Sequence, residues 1–358
     1  MRTGVANLPL HHGKAPAWLF GRMTRLAGGV IEAIVASDGA DEVLRRLSDP
    51  FWFQAFGCLL GFDWHSSGVT TTVTGAVKES LRGREHELGL YVCGGKGRTS
   101  RKTPDEIRTK CDPSGLDGER LVYASRMSAK VDSAAVQDGY QIYHHAFVFT
   151  DHGTWAVVQQ GMNEGSGTAR RYHWLGEGVT DFVEEPQAAI CCDRRGNDVL
   201  DMTARESRGS REASTAIAKL SPAEWERELK RIEVLDLPAR HEVLKEDVAS
   251  RHLRKILLST YEKQPGGFED LLGLAGVGPK TVRALALLSE ILTGEKPSFR
   301  DPARYSFAHG GKDGHPYPVD RRTYDRTIET LGKALDAARA GDRDKLEALK
   351  RLKGFAQG

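Results

Sequence analysis

The chain has 358 residues, 39% of them hydrophobic and 28% charged, a balance that excludes a disordered or fibrous protein. Lysine and arginine exceed aspartate and glutamate by two, 51 against 49, so affinity for a polyanion must come from local patches. No apolar run approaches the length of a membrane span.

Length suggests two domains, each large enough for its own core. The opening MRTGVANLPLHHGKAPAW lacks the apolar centre of a signal peptide, and a cytoplasmic, nucleoid-associated protein is expected. Helices are predicted from Trp18 to about Val35 and from Asp41 to Leu47. The aromatic-rich Asp49–Phe62 reads as buried. Ser67–Ala76, SGVTTTVTGA, has the threonine and valine content of a strand, followed by a short helix at Val77–Leu81. Leu88–Cys93 reads as a buried strand, and Arg120 to about Val136 as helix. Two β segments, Tyr140–Thr150 and Thr154–Met162, flank the turn Asp151-His152-Gly153. Further strands are expected at Tyr172–Leu175 and Ala188–Cys192. Five cysteines without C-x-x-C spacing look like reduced thiols. Residues 194–215 are polar and charged, and their later part reads as a linker.

Beyond about Thr215 the pattern is helical: Ser221–Ile232, opened by a capping box of Ser221 and Glu224, then His241–Tyr261, a helical pair, Asp320–Ala340 and Asp342–Lys353. The expected architecture is α+β: a mixed domain with a small sheet over 1–202, a linker over 203–219, and an all-α domain over 220–358.

The helical pair, Phe268–Glu290, reads as FEDLLGLAGVGPKTVRALALLSE. Leu271, Leu272 and Leu274 face the first helix inward, and Val282, Leu285, Ala286 and Ile291 carry the period through the second. Gly276-Val277-Gly278 makes the turn, because glycine enters left-handed backbone space without steric cost. Pro279 stands where a helix start needs no amide proton. Such a start is partly positive, and residues without side chains let a phosphate approach it. The expected partner is a DNA backbone, duplex or branched, held by Gly276, Val277, Gly278, Lys280, Thr281 and Arg283 without base reading. An ordinary αα-hairpin is the plain alternative.

The segment Leu253–Glu290, with its Leu-x-Gly-Val-Gly-Pro-Lys-Thr centre, resembles the helix-hairpin-helix base-excision DNA glycosylases. Tyr317-Pro318-Val319-Asp320-Arg321-Arg322 has the form of the Val-Asp pair that opens their next helix. For lyase-competent members the resemblance implies an amine nucleophile at Lys280 assisted by Asp320. The stretch between the two motifs, Thr293–Pro318, is longer than in that family. Over most of its length the chain resembles an uncharacterised prokaryotic family, the domain-of-unknown-function family seven-six-three. The likeness runs through RTGVANLPLHHGKAP, GLYVCGGKGRTSRKTP, YHHAFVFTDHGTWAVVQQGMN and YSFAHGGKDGHPYPVDRRTYD. It implies little about chemistry.

Gly94–Lys102, GGKGRTSRK, brings Lys96, Arg98, Arg101 and Lys102 onto a glycine loop able to cradle a phosphate or a single strand. It lacks P-loop spacing, which excludes nucleotide hydrolysis by that motif. Lys130, Asp132, Asp138, His144, His145, Asp151, His152 and Glu164 cluster around the β segments, with His144 and His145 on opposite faces. Histidine with carboxylates suits a divalent metal, magnesium or manganese, in attack on a phosphodiester; a Lys–Asp pair suits acid–base catalysis. Half-buried histidines bound to backbone carbonyls are the plainer alternative. Trp155, Gln159 and Gln160 suit base stacking and base edges, or equally a buried tryptophan with solvent-facing amides. The run Arg170–Trp174 suits a nucleic-acid single strand, or equally a domain interface. Phe299–Asp320, with His309, Lys312, Asp313 and His315, is too polar for core and too long for an idle connection.

The first reading is a DNA-processing or repair enzyme, a structure-specific nuclease with candidate catalytic residues Lys130, Asp132, His144, His145 and Asp151. The rivals are a glycosylase or abasic-site lyase using Lys280 and Asp320, and a non-catalytic DNA-binding module.

Overall fold

The computed structural model describes residues 17–61, 68–112, 115–191, 195–196, 198–232, 251–303, 321–338 and 341–357. Helices α1 (Ala17–Asp38), α2 (Ala40–Ser48), α3 (Pro50–Leu60), α4 (Gly68–Leu81) and the single turn α5 (Glu85–Leu88) precede strand β1 (Leu90–Lys96). Next come α6 (Thr103–Cys111) and α7 (Gly118–Lys130), a π-helical turn at Val131–Ala135, and strands β2 (Val136–Gln137), β3 (Gln141–Thr150), β4 (Trp155–Asn163), β5 (Thr168–Leu175), β6 (Ala189–Cys191) and β7 (Leu200–Asp201). The remaining helices are α8 (Arg208–Ala218), α9 (Pro222–Ile232), α10 (Arg251–Lys263), α11 (Phe268–Gly273), α12 (Pro279–Thr293), α13 (Arg321–Ala337) and α14 (Asp342–Gln357). The fold is α+β.

Local chemistry sets several of these boundaries. The Asp49 carboxylate accepts from the amides of Phe51 and Trp52 at 2.8 and 3.1 Å, Pro50 takes the first helical position of α3, and Gly61 closes it at φ 106°. Ser221 and Glu224 bond reciprocally at the start of α9, the expected capping box.

Two segments differ from expectation. The strand expected at Ser67–Ala76 is helix α4 from Gly68 onward. Its β-branched residues recur at helical spacing, and Val69, Val73, Ala76, Val77 and Leu81 are all buried, so burial outweighs strand propensity. Threonine hydroxyls return to the helix itself, Thr74 Oγ1 donating to the Thr70 carbonyl at 2.7 Å. The linker expected over 203–219 contains α8, whose Ala213, Ile217 and Ala218 are buried and which packs along α12. Its polarity is internal: Ser210 bonds Ser289 at 2.7 Å, and Arg211 donates to the Met202 and Ala204 carbonyls.

A five-stranded antiparallel sheet, ordered β1-β3-β4-β5-β6, lies between two helical layers, while β2 and β7 form a separate ribbon. On one face Val92, Val148, Ala156 and Val158 share a core with α1–α4, which also receives Leu331 and Leu335 of α13 and Leu352 of α14. On the other, Tyr91, Phe147, Phe149, Trp155, Val157 and Trp174 join α6–α12. The expected all-α stretch 220–358 is therefore divided between the layers. No helix among the described residues is long and apolar enough to cross a membrane.

Gly94 fastens β1 to both layers. Its carbonyl accepts from Lys78 of α4 at 2.8 Å, its amide donates to Glu106 of α6 at 2.8 Å, and Lys78 and Glu106 pair at 2.6 Å. It sits at φ +86°, and a Cβ there would lie 2.2 Å from the His145 carbonyl oxygen and 2.6 Å from Thr103 Oγ1. Gly94→Ala is expected to cost about 3 kcal/mol or more in urea unfolding. Gly97→Ala, at φ +61° with no atom within 4 Å of its Cβ, should cost about 1 kcal/mol.

Candidate functional site

The helical hairpin forms as its sequence requires. Gly276 turns the chain at φ +88°, Val277 is fully buried beside Leu271 and Leu272, and α12 starts at Pro279. Gly278 caps α12 without a side chain, so the cap offers no side-chain partner to the first-turn amides. It is extended, and a Cβ there would meet nothing within 4 Å. Nothing inside the fold demands glycine at 278. Lys280 projects from the exposed rim. Thr281 is buried, and Arg283 turns inward, its Nε donating to Gln137 Oε1 at 2.7 Å while Gln137 Nε2 donates to the Pro279 carbonyl at 2.8 Å. Of the side chains expected to hold DNA, only Lys280 points outward from the turn.

The basic loop is a short 3-10 turn over Gly97–Lys102, pinned by Ser100 Oγ on the Gly97 carbonyl and Thr103 Oγ1 on the Ser100 carbonyl. Lys96, Arg98, Arg101 and Lys102 are all exposed, Lys96 lying 5.8 Å from the Tyr143 ring centroid. Among the described residues none of the four has an ion-pair partner. Lys96 pairs in register with His144 near the start of β3. The hairpin touches Gln137, shortly before β3 begins, so loop and hairpin lie toward the same end of the sheet.

That end is polar on both faces. One rung crosses all five strands as Lys96, His144, Gln160, Arg171 and Cys191. The next, on the opposite face, carries His145, Gln159 and Tyr172. Farther along, His173 stands among Ala146, Val158 and Ala189, and the rung beyond it, Cys93, Phe147, Val157 and Trp174, carries large apolar side chains. In the first row His144 Nε2 meets Thr74 Oγ1 at 2.9 Å, and Gln160 bonds Thr70 and the Tyr143 hydroxyl. Arg171 Nε donates to His173 Nε2 at 2.9 Å and its guanidinium lies 4.6 Å from the Phe53 ring centroid. His173 is thereby fixed with its proton on Nδ1, donated to the Leu47 carbonyl at 2.9 Å. In the second row His145 Nδ1 meets Gln159 Oε1 at 2.8 Å and Nε2 meets Ser125 Oγ at 2.9 Å. Gln159 Nε2 continues to Asp132, whose carboxylate also accepts from Trp174 Nε1 at 2.8 Å and Gln187 Nε2 at 2.7 Å.

The expected catalytic cluster is therefore divided. His144 and His145 are buried on opposite faces, Asp132 lies in the π-helical turn beneath His145, and half-buried Lys130 ends α7. Asp151 sits at the other end of the sheet, in the β3–β4 turn, 3.3 Å from His152 Nε2. Gln159, Gln160, Trp155 and Trp174 are buried and committed to internal partners, so none faces a base. Among the described residues no group of three or more His, Cys, Asp or Glu side chains is placed to hold a metal ion. Asp320, His309, Lys312, Asp313 and His315 lie outside the described residues.

A polar cavity of about 250 Å³ opens beside β6 and β7. One wall is Asp301, bound through both oxygens to Arg170 at 3.0 and 2.7 Å; Arg170 also pairs with Asp138 at 2.9 Å. Another is Asp201, whose Oδ1 accepts from the Thr203 amide and hydroxyl at 2.9 and 2.6 Å and whose carboxyl burial pushes up to about 6. Gln187 lines the same space while holding Asp132, whose carboxyl burial pushes up to about 7. Glu185 on the rim is left-handed at φ 45°, a strained backbone for a residue of its kind. Sequence reading missed Gln187, Asp201 and Asp301. Asp201-x-Thr203 and Asp301-x-Ala303 carry the local signature of side chains that bond their own backbone two residues on. Their convergence across about a hundred residues carries no local signature.

The chain belongs to the family described as Protein of unknown function (DUF763), whose model matches residues 4–319. No curated protein and no solved structure matches it.

Burial lowers His144 to about 3, His145 to about 4, and His173 well below its ordinary value. The unfolded chain binds these protons near pH 6.5 and the folded chain refuses them, so their contribution is present above pH 6.5 and lost as pH falls toward 4. Asp132 acts oppositely, losing its contribution as pH rises from about 4 to 7. A comparison with His145→Gln isolates the histidine. Between pH 6.5 and 4 the wild-type stability should fall more steeply than the variant's by up to about 1.4 kcal/mol per pH unit, measured by urea unfolding.

Proposed function

For a member of this family, we propose that the chain binds the DNA backbone, duplex or branched, and acts in DNA processing. The observation that carries the reading is the exposed Gly276–Gly278 corner at the start of α12, with a glycine at 278 that no internal packing requires. Helix starts of this kind receive phosphates. Four exposed cations, Lys96, Arg98, Arg101 and Lys102, lie toward the same end of the sheet and would extend the phosphate track. Contacts of both kinds position a duplex without reading its sequence. Phosphodiester cleavage is the reaction we propose first. The buried histidines are disfavoured as its place, because a reacting group must meet its substrate. Lyase chemistry at Lys280 is less favoured: that amine stands on an exposed rim, whereas a nucleophilic lysine needs desolvation or a neighbouring cation.

Gly278→Asp separates binding from folding. Aspartate is a better helix cap than glycine and is favoured by the dipole, so α12 should be no less stable. The same carboxylate repels phosphate, and filter binding at low ionic strength should show at least a tenfold loss of duplex or forked DNA. Replacing Lys96, Arg98, Arg101 and Lys102 by alanine should also lower the slope of log affinity against log salt, by about one for each phosphate left without its cation. Retention untouched by both changes sinks the reading. Strand scission on a panel of branched substrates, with and without EDTA, tests the cleavage step separately.

A further inference from the structure

The cavity beside β6 and β7 offers acceptors. Asp201 lines the space; its Oδ1 is engaged by Thr203 and its carboxylate also accepts from the Ala204 amide, leaving the two oxygens room for a further donor. Gln187 spends its Nε2 on Asp132, so its amide oxygen is the group left to present. The Glu185 carboxylate lines the opening. The charges that oppose these are already engaged: Arg170 holds Asp301, Arg195 Nε donates to the Ala303 carbonyl at 3.1 Å, and Arg300 stands 3.4 Å from Glu206 at the rim. Ile190, Pro302 and Ala303 add an apolar surface. A phosphate would meet carboxylates, and the described residues place no three-donor metal group. The volume, about 250 Å³, lies below the roughly 300–1,000 Å³ of drug-sized sites and suits one ring system.

We propose that this cavity binds a single nucleobase through adjacent N–H donors on its edge, with guanine the best match and thymine the poorest. Guanine presents a ring N–H beside an amino group, a pair that a carboxylate oxygen of Asp201 and the amide oxygen of Gln187 would accept between them; thymine has one N–H between two carbonyls. The base has two sources, a free nucleoside or a nucleotide extruded from DNA. The second rests on the DNA-binding reading above.

The full-length protein is titrated by calorimetry with guanosine, adenosine, cytidine and thymidine, and with free arginine as a non-aromatic carrier of the same donors. Guanosine should bind at least tenfold more tightly than thymidine, and Asp201→Asn, its fold checked by thermal melting, should lose at least tenfold for guanosine. The wild-type nucleoside order stands as a test even if that variant does not fold. A duplex carrying 2-aminopurine beside a guanine is titrated in parallel: a fluorescence rise with the nucleoside preference identifies extrusion of that guanine, and a flat signal with that preference identifies free nucleoside. Equal affinity for all four nucleosides, or binding of arginine alone, overturns the proposal. Filter binding keeps the two readings apart. Duplex retention without nucleoside preference sinks the pocket and spares the backbone grip; nucleoside preference without retention does the reverse.

Discussion

A sheet covered by helices on both faces gives its polar side chains no access to water, and that constraint organises the molecule. A buried donor or acceptor left unpaired costs about 1–3 kcal/mol, comparable with a fifth of a typical domain's net stability. A polar group admitted to such a sheet is therefore favoured when it brings a partner from a neighbouring strand or an overlying helix, although His144 Nδ1 is buried without one. Here Thr74 of α4 serves His144, Ser125 of α7 serves His145, and the Leu47 carbonyl of α2 serves His173. Each bond also fixes how a helix sits on the sheet. The apolar rungs at the far end, with Phe147, Phe149 and Trp155 stacked against one another, supply the burial energy.

Amide side chains do most of the joining, because one amide donates and accepts at once. Gln159 accepts a hydrogen bond from His145 Nδ1 through Oε1 and donates one to Asp132 through Nε2. Gln187 ties the same carboxylate to the cavity. Gln137 joins the hairpin to the ribbon of β2 and β7 by accepting from Arg283 and donating to Pro279. The hairpin is thus held at the polar end of the sheet by directional bonds as well as by the burial of Val277. A substitution that alters one of these amides should be felt on both sides of the link.

Elements whose pattern is local are legible in the sequence. The hairpin follows from two apolar helices around Gly276-Val277-Gly278, and β3 and β4 from aromatic and β-branched runs around a short turn. Helix α4 reads as a strand because threonine and valine favour strands as isolated residues, while its helical spacing has meaning only against the core that buries it. In β5 the visible part is Tyr172–Leu175; the strand starts at Thr168, and its arginines look like surface residues until Asp138, Asp301 and Gln54 are seen to receive them. The candidate catalytic cluster fails for a related reason. Proximity along the chain places His144 beside His145, and the alternation of a strand then puts a sheet between them. Asp201 and Asp301 meet only because β7 pairs with β2 and bridges to Ser298, a relation between distant segments.

The same burial argues where chemistry can and cannot occur. A general base must change charge during its cycle, and burial holds His144 and His145 far below the pH at which they would exchange protons with water. Ser125, His145, Gln159 and Asp132 have the connectivity of an activated hydroxyl, yet Ser125 is itself buried on the inner face of α7 and does not line the cavity. Asp201 differs in place: it lines the cavity, and burial pushes its carboxyl up to about 6. The histidines serve as mortar between sheet and helices, and Asp201 lines the cavity.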